Sequence, residues 1–306
     1  MALINPSAEL DGSAPDQIFS TEDAGPIGAL RDASRRLLRT RLAGFGLVVL
    51  GLVIFLALFA GVVAPYNPDQ QTLADVLQAP SGAHFFGTDD LGRDILSRVI
   101  YGSRVSLEVG LISVSVALVG GCFIGLVAGY WGGMVDEVLM RGMDALAAFP
   151  ALVLALAITS ALGMGIGNAM IAIGIVYIPA FARLVRGQAL SVRERDYVTA
   201  ARSLGAGHFR IMLRHIWPNV TAPIIVQASL AVGFAIITEA ALSFLGVGVR
   251  PPTASWGSML NEGYQYLENA PWMSVAPGAA IFVTVLGLNL LGDGLRTVLD
   301  PRLSRR

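Results

Sequence analysis

The chain has 306 residues, 54% of them hydrophobic and 14% charged, with a mean hydropathy of +0.65 and a formal net charge of −1. It is more apolar than an average soluble domain, and its apolar residues fall in long uncharged runs of the kind that cover a bilayer core, for which about 20 residues of helix suffice. All 21 basic residues are arginine, which excludes the lysine of a phosphate-cradling G-x-x-x-x-G-K-[ST] loop and the amine of Schiff-base chemistry; if ATP drives this protein, another chain binds it.

Residues 1–28 are rich in Ser, Ala, Asp, Glu, Gly and Pro without apolar periodicity. With Arg31, Arg35, Arg36, Arg39 and Arg41 they predict a largely disordered tail over 1–41. The uncharged run 42–63 is too long for the core of a signal peptide and is expected to be an uncleaved first span. A loop over 64–105 precedes a second span at 109–130, where Gly121, Gly125 and Gly129 recur every four residues and offer a face that another helix can approach closely. Cys122, the lone cysteine, lies in the same run and reads as a small packing residue.

From 145 to 182 there is no charge, and one helix of that length would be roughly twice as long as the bilayer core is thick. The run must fold back, and Gly163-Met164-Gly165-Ile166-Gly167-Asn168 is its natural turn. That gives a third span, kinked near Pro150, and a fourth, kinked at Pro179. A fifth span is expected at 220–244, after Pro218, and a sixth at 275–292. The expectation is an all-α membrane protein with six transmembrane helices: an anchor at 42–63, a five-helix core over 106–293 and a tail over 294–306.

Arginine bias sets the orientation. Seventeen of the 21 arginines fall in the N-terminal tail and the alternate loops on its side, whereas Arg93, Arg98, Arg104 and Arg250 fall on the other. This predicts both termini in the cytoplasm, with 64–106 and 246–274 outside.

No catalytic constellation is legible. His84, His208 and His215 form no H-E-x-x-H or clustered Cys/His pattern, and there is no G-x-S-x-G elbow, so neither a metal site nor a nucleophile is expected. Glu239 falls inside the fifth span, where an ionisable side chain suggests a place on a translocation path; a carboxyl hydrogen-bonded to a neighbouring helix is the competing reading. Asp293 with Arg296 three residues on reads as a structural pair. Asp89, Asp90 and Asp94, with Arg93 and Arg98, read as an outer charge run that either pairs internally or receives a partner.

The cytoplasmic stretch 190–219 is too long for a simple turn. Asp196 is placed to cap a short helix and Gly205 to end it, and a second amphipathic piece with Phe209, Met212, Leu213 and Ile216 leads to Pro218. Ala200 and Ala201 leave the first helix bare enough to dock in another protein's groove; on the residues alone, a helix lying on anionic lipid fits equally.

Thr199-Ala200-Ala201, Gly205 and Pro218 keep the spacing of the "EAA" loop of ABC-type importer permeases, which this stretch resembles, with Thr199 at the position where that family often has Glu. Residues 86–107, F-G-T-D-D-L-G-R-D-I-L-S-R-V-I-Y-G-S-R-V-S-L, are similar to the segment before the second span in the C-type permease of oligopeptide, dipeptide and nickel importers. Phe244-Leu245-Gly246, Pro251-Pro252-Thr253, Trp256-Gly257, Gly292-Asp293-Gly294-Leu295-Arg296 and Leu299-Asp300-Pro301 match later signatures of that family, and Asp196-Tyr197-Val198-Thr199-Ala200 with Gln227-Ala228-Ser229-Leu230 resembles its dipeptide branch.

The resemblance implies a type I ABC importer permease in the bacterial inner membrane, translocating di- or oligopeptides, with nickel or glutathione as alternative cargo. It further implies a paralogous permease as heterodimer partner, two cytoplasmic ATPase subunits that bind the ATP, an extracytoplasmic solute-binding protein, surrounding membrane lipid, and no cofactor or nucleic acid. Asp196, Tyr197, Thr199, Ala200, Ala201, Gly205 and Pro218 would form the ATPase-coupling loop. The rival from another class, a stand-alone secondary transporter, calls for inverted repeats and midplane charges; no repeat is visible.

Overall fold

The computed structural model describes residues 41–299, so the expected disordered tail lies outside the described residues apart from its last position. Among them the fold is entirely helical. The chain runs through α1 (Arg41–Leu58), a short α2 (Ala60–Val63), α3 (Ile95–Trp131), α4 (Gly133–Ala147), α5 (Ala151–Leu162), α6 (Ile166–Arg193), α7 (Asp196–Ser203) and α8 (His208–Ile211). A π turn over Met212–Ile216 joins α8 to α9 (Trp217–Phe244), followed by α10 (Trp256–Tyr264) and α11 (Trp272–Leu299).

Several boundaries depart from expectation, each for a local reason. The second span was expected at 109, but α3 begins at Ile95, because Asp94 caps it by accepting from the Ser97 amide at 2.8 Å; counting only uncharged residues hides the turns that carry Arg98, Arg104 and Glu108. Pro150 does not kink the third span but breaks it. Pro lacks an amide hydrogen and disfavours helix in the residue before it, and α4 and α5 meet at 92°. The Gly163–Gly165 turn is where it was expected, with φ of +96° and +151° at the two glycines. Pro218 does not open the fifth span, since it sits in the first turn of α9 and the helix runs without interruption from His208 to Phe244. Likewise α11 continues past 292, and Asp293 and Arg296 form no ion pair among the described residues; the Asp293 carbonyl accepts from Thr297 instead.

Among the described residues, four helices are long and apolar enough to cross a membrane: α3, α6, the stretch His208–Phe244 and α11, with the bent α4–α5 pair as a fifth. The shorter apolar α1 packs along α11 and α3. The α3–α6 interface is the most extensive, and the three in-register glycines of α3 lie in it. A Cβ at Gly121 would stand 2.4 Å from that of Phe181, one at Gly125 2.4 Å from the Ala182 carbonyl oxygen, and one at Gly129 2.7 Å from the Ala189 Cβ. The central core, with Phe181, Val185, Ile211, Ile216 and Leu242 fully buried, joins α3, α6, the stretch 190–219 and α9. A second core near the outer end gathers Ile95, Ile236, Trp256 and Met273.

Candidate functional site

The stretch 190–219 is built outward from one anchor. Val198 is the only buried residue of α7, and it leaves Asp196, Tyr197, Thr199 and Ala200 exposed, with Ala201 half-buried. Asp196 does not cap the helix as expected: the cap position is Arg195, which makes no side-chain bond there, and Asp196 sits in the first turn where a negative charge complements the helix dipole. The end is closed by backbone alone. Gly205, at φ +82°, donates to the Arg202 carbonyl and Ala206 to that of Ala201, both at 3.0 Å, the bond pair of a Schellman stop. No atom lies within 4 Å of where a Gly205 Cβ would be, so the glycine is needed for its backbone angle and not for space.

Beyond the stop, Leu204 is 88% exposed and Phe209 71% exposed, while Ile211, Met212 and Ile216 turn into the core. The result is an apolar outer face on a rigid inner footing. Pro218 is exposed at the foot of α9, away from α7's surface in sequence and local role.

Three contacts that the sequence reading missed tie this footing to the bundle. The Tyr130 hydroxyl is 2.7 Å from Nδ1 of His208. Arg193 donates to the Gly129 and Tyr130 carbonyls at 3.3 and 3.1 Å, meeting the unpaired oxygens at the end of α3 with positive charge. Arg186 grips Asp136 with Nε and Nη2 at 2.5 and 2.6 Å, fixing α4 to α6. The sequence signal for these was the arginine excess itself, although nothing in it named the partners.

Glu239 is 1% exposed and enclosed by this chain. Its Oε1 accepts from Ser243 Oγ at 2.6 Å, that hydroxyl oxygen in turn accepts from the Val249 amide at 3.0 Å, and Oε2 has no partner. The α10 backbone closes over the site, since a Cβ on Gly257 would be 2.5 Å from the Ala240 Cα.

The outer charge run is not a solvated face. Asp89, Arg93, Asp94 and Arg98 are all at most 3% exposed. Arg93 Nε meets Asp89 at 2.6 Å and its Nη2 meets Glu262 at 2.9 Å, and Arg98 reaches the same Glu262 oxygen at 3.3 Å. Glu262 comes from α10, so the cluster ties the start of α3 to the second outer loop. His84 Nδ1 lies 2.9 Å from the capping Asp94, and Trp256 Nε1 donates to the Val99 carbonyl at 2.9 Å. Although the carboxylates of Asp89, Asp90 and Glu262 converge within 4.8 Å, the charge that meets them is that of the two guanidinium groups. Burial pushes the Glu262 carboxyl above its ordinary value, and Arg98 and Arg93 pull it partly back.

Residues 121–305 match the model of the binding-protein-dependent transport system inner membrane component, and residues 28–80 match that of the N-terminal TM domain of oligopeptide transport permease C. The chain is 45% identical to the dipeptide transport system permease protein DppC of Alkalihalophilus pseudofirmus, over 90% of this chain and 91% of the relative. It is 46% identical to the glutathione transport system permease protein GsiD of Pectobacterium atrosepticum, over 89% and 91%. It is 47% identical to the di/tripeptide transport system permease protein DppC of Pseudomonas aeruginosa, over 84% and 87%. The chain thus belongs to the binding-protein-dependent transport system inner membrane component family, as a membrane permease subunit of an ABC importer whose ATPase and binding-protein functions reside on other chains.

Proposed function

We propose that the chain is one half of a heterodimeric permease that imports short peptides, with six spans, both termini cytoplasmic, and α7 seated in a groove of an ATPase partner. The observation that carries the reading is the exposed apolar set Tyr197 on α7, Leu204 at its end and Phe209 on α8, with Val198 the one buried residue of α7. Bound ATP and its hydrolysis belong to the ATPase partners, and no cofactor is assigned to this chain. The relatives named for dipeptides, di/tripeptides and glutathione share one cargo chemistry, a short peptide with free charged ends.

Mechanically, α7 is a short rigid lever. A shift imposed on it reaches α3 through the Tyr130–His208 and Arg193 contacts, and α3 carries α6 with it because the glycine face leaves no room for sliding. Coupling in this sense needs two arrangements that both ATP and peptide bias. Glu239 would then act on the path through the loop it holds, not by touching cargo.

The test is co-purification of the detergent-solubilised chain with its ATPases and paralogue, wild type against Gly205→Asp, followed by dipeptide and glutathione uptake in vesicles. Wild type should bring two ATPases and a different permease, and the variant should lose the ATPases. A variant that keeps them at wild-type level and transports normally would sink the coupling assignment; a permease pair of identical chains would sink the heterodimer.

A further inference from the structure

Two clefts share Arg104 as a lining residue, near the end of α3 assigned to the outside. The first, about 420 Å³, lies between α1 and α3 and is walled by Ile54, Ala57, Leu58 and Leu107. The second, about 350 Å³, is walled by Asn67, Asp69, Tyr101 and Thr253 among others. Each falls in the range of about 300–1,000 Å³ that holds a small-molecule ligand.

Arg104 is held in place. Its Nε and Nη2 donate to the Ala57 and Leu58 carbonyls at the end of α1, at 2.5 and 3.4 Å, and its guanidinium stands 5.0 Å over the Tyr101 ring. It has no carboxylate partner within 4.0 Å and no bond from Nη1 among the described residues. Asp69, on the rim of the second cavity, is exposed and has no ion pair within 4.0 Å among the described residues, although its charge also acts on the buried Arg98. Glu108, one turn along α3, lines neither cavity.

Across the two clefts the chemistry therefore runs from apolar to cationic to anionic. A phospholipid with an amino headgroup runs the same way: acyl chain, phosphate, ammonium. We propose that together they bind one zwitterionic aminophospholipid of the outer leaflet, with an acyl chain against Ile54 and Leu58, the phosphate on Arg104 and the ammonium at Asp69. An anionic headgroup such as phosphatidylglycerol satisfies Arg104 but sets no positive charge against Asp69. The bound lipid fills the gap between the anchor helix α1 and the core, and acts as a wedge that holds α1 in place.

The experiment is native mass spectrometry of the full transporter complex, delipidated and re-supplied with phosphatidylethanolamine or phosphatidylglycerol. Arg104 also braces α1, so the diagnostic variants are Asp69→Asn and Leu58→Asp, both at exposed positions. Wild type should retain one phosphatidylethanolamine per permease in preference to phosphatidylglycerol. Asp69→Asn should lower that preference about two- to fivefold, the size of an exposed ion pair. Leu58→Asp should lower retention of either lipid by at least about tenfold, the size of a lost leucine contact. Equal retention of the two lipids by wild type, or retention unchanged in both variants, overturns the proposal; neither outcome touches the peptide assignment, which rests on transport.

Discussion

Single residues in the outer cluster act through burial more than through charge pairing. Glu262 faces Arg93 and Arg98, yet burial outweighs them and its carboxyl sits above its ordinary value. The folded state therefore holds this proton more tightly than the unfolded chain does, so the group's stabilising contribution is complete below about pH 4.5, the ordinary value, and is lost as pH rises through the folded value. As pH falls toward the ordinary value of 4.5, the melting temperature of wild type should accordingly gain on that of Glu262→Gln; a gap that stays constant down to that pH would refute the assignment. Internal pairing of Asp89, Arg93 and Asp94 was one of the two readings open in the sequence, but their burial and the part of Glu262 were not legible there. Their burial is decided by α10 folding back onto α3, a contact between residues 164 apart for Arg98 and Glu262. Glu239 was half legible: its depth in an apolar run marked it, and Ser243 one turn on is the partner that helical spacing permits.

At the scale of elements, spacing within a helix and glycine stops proved readable, and helix starts did not. Gly121, Gly125 and Gly129 declare a close helix contact by period alone, and Gly205 declares a stop because the only gain from glycine there is a positive φ. Starts were misplaced wherever polar residues belong to a helix, as with Arg98 and Arg104 in α3, because a charge count cannot see a cap. The α3–α6 contact makes a sharp comparison possible. Gly125→Leu would drive a side chain into the Ala182 carbonyl and should cost at least about 1–3 kcal/mol. Gly187→Leu, at an α6 position with no atom within 4 Å of a Cβ, should be neutral or slightly stabilising through helix propensity. Equal melting temperatures for the two variants in detergent would mean that the glycine face does not hold the helices together.

For the whole molecule, the all-helical, membrane-spanning character was legible from composition, because hydrocarbon demands long apolar helices; the sidedness of each loop is an expectation from arginine bias. The way the spans pack was not legible, since lipid and protein interior are equally apolar to a hydropathy count. Sidedness has a direct check in a Cys122→Ala background: Gly207→Cys should react with an impermeant maleimide only from the cytoplasmic face and Gly82→Cys only from the outside, both positions being open to solvent. Labelling of both from one face would reverse the orientation. The 92° break between α4 and α5 carries a further consequence. It leaves the closing carbonyls of one helix and the opening amides of the next without helical partners, beside exposed Phe149 and Pro150. Hydrocarbon cannot solvate such groups, and irregular backbone at membrane depth persists only against protein or water. The elbow is therefore fitted to a place where water or protein meets those groups, and the helix on its near side, with Asp136, Glu137, Arg141 and Asp144, is itself charged rather than oily.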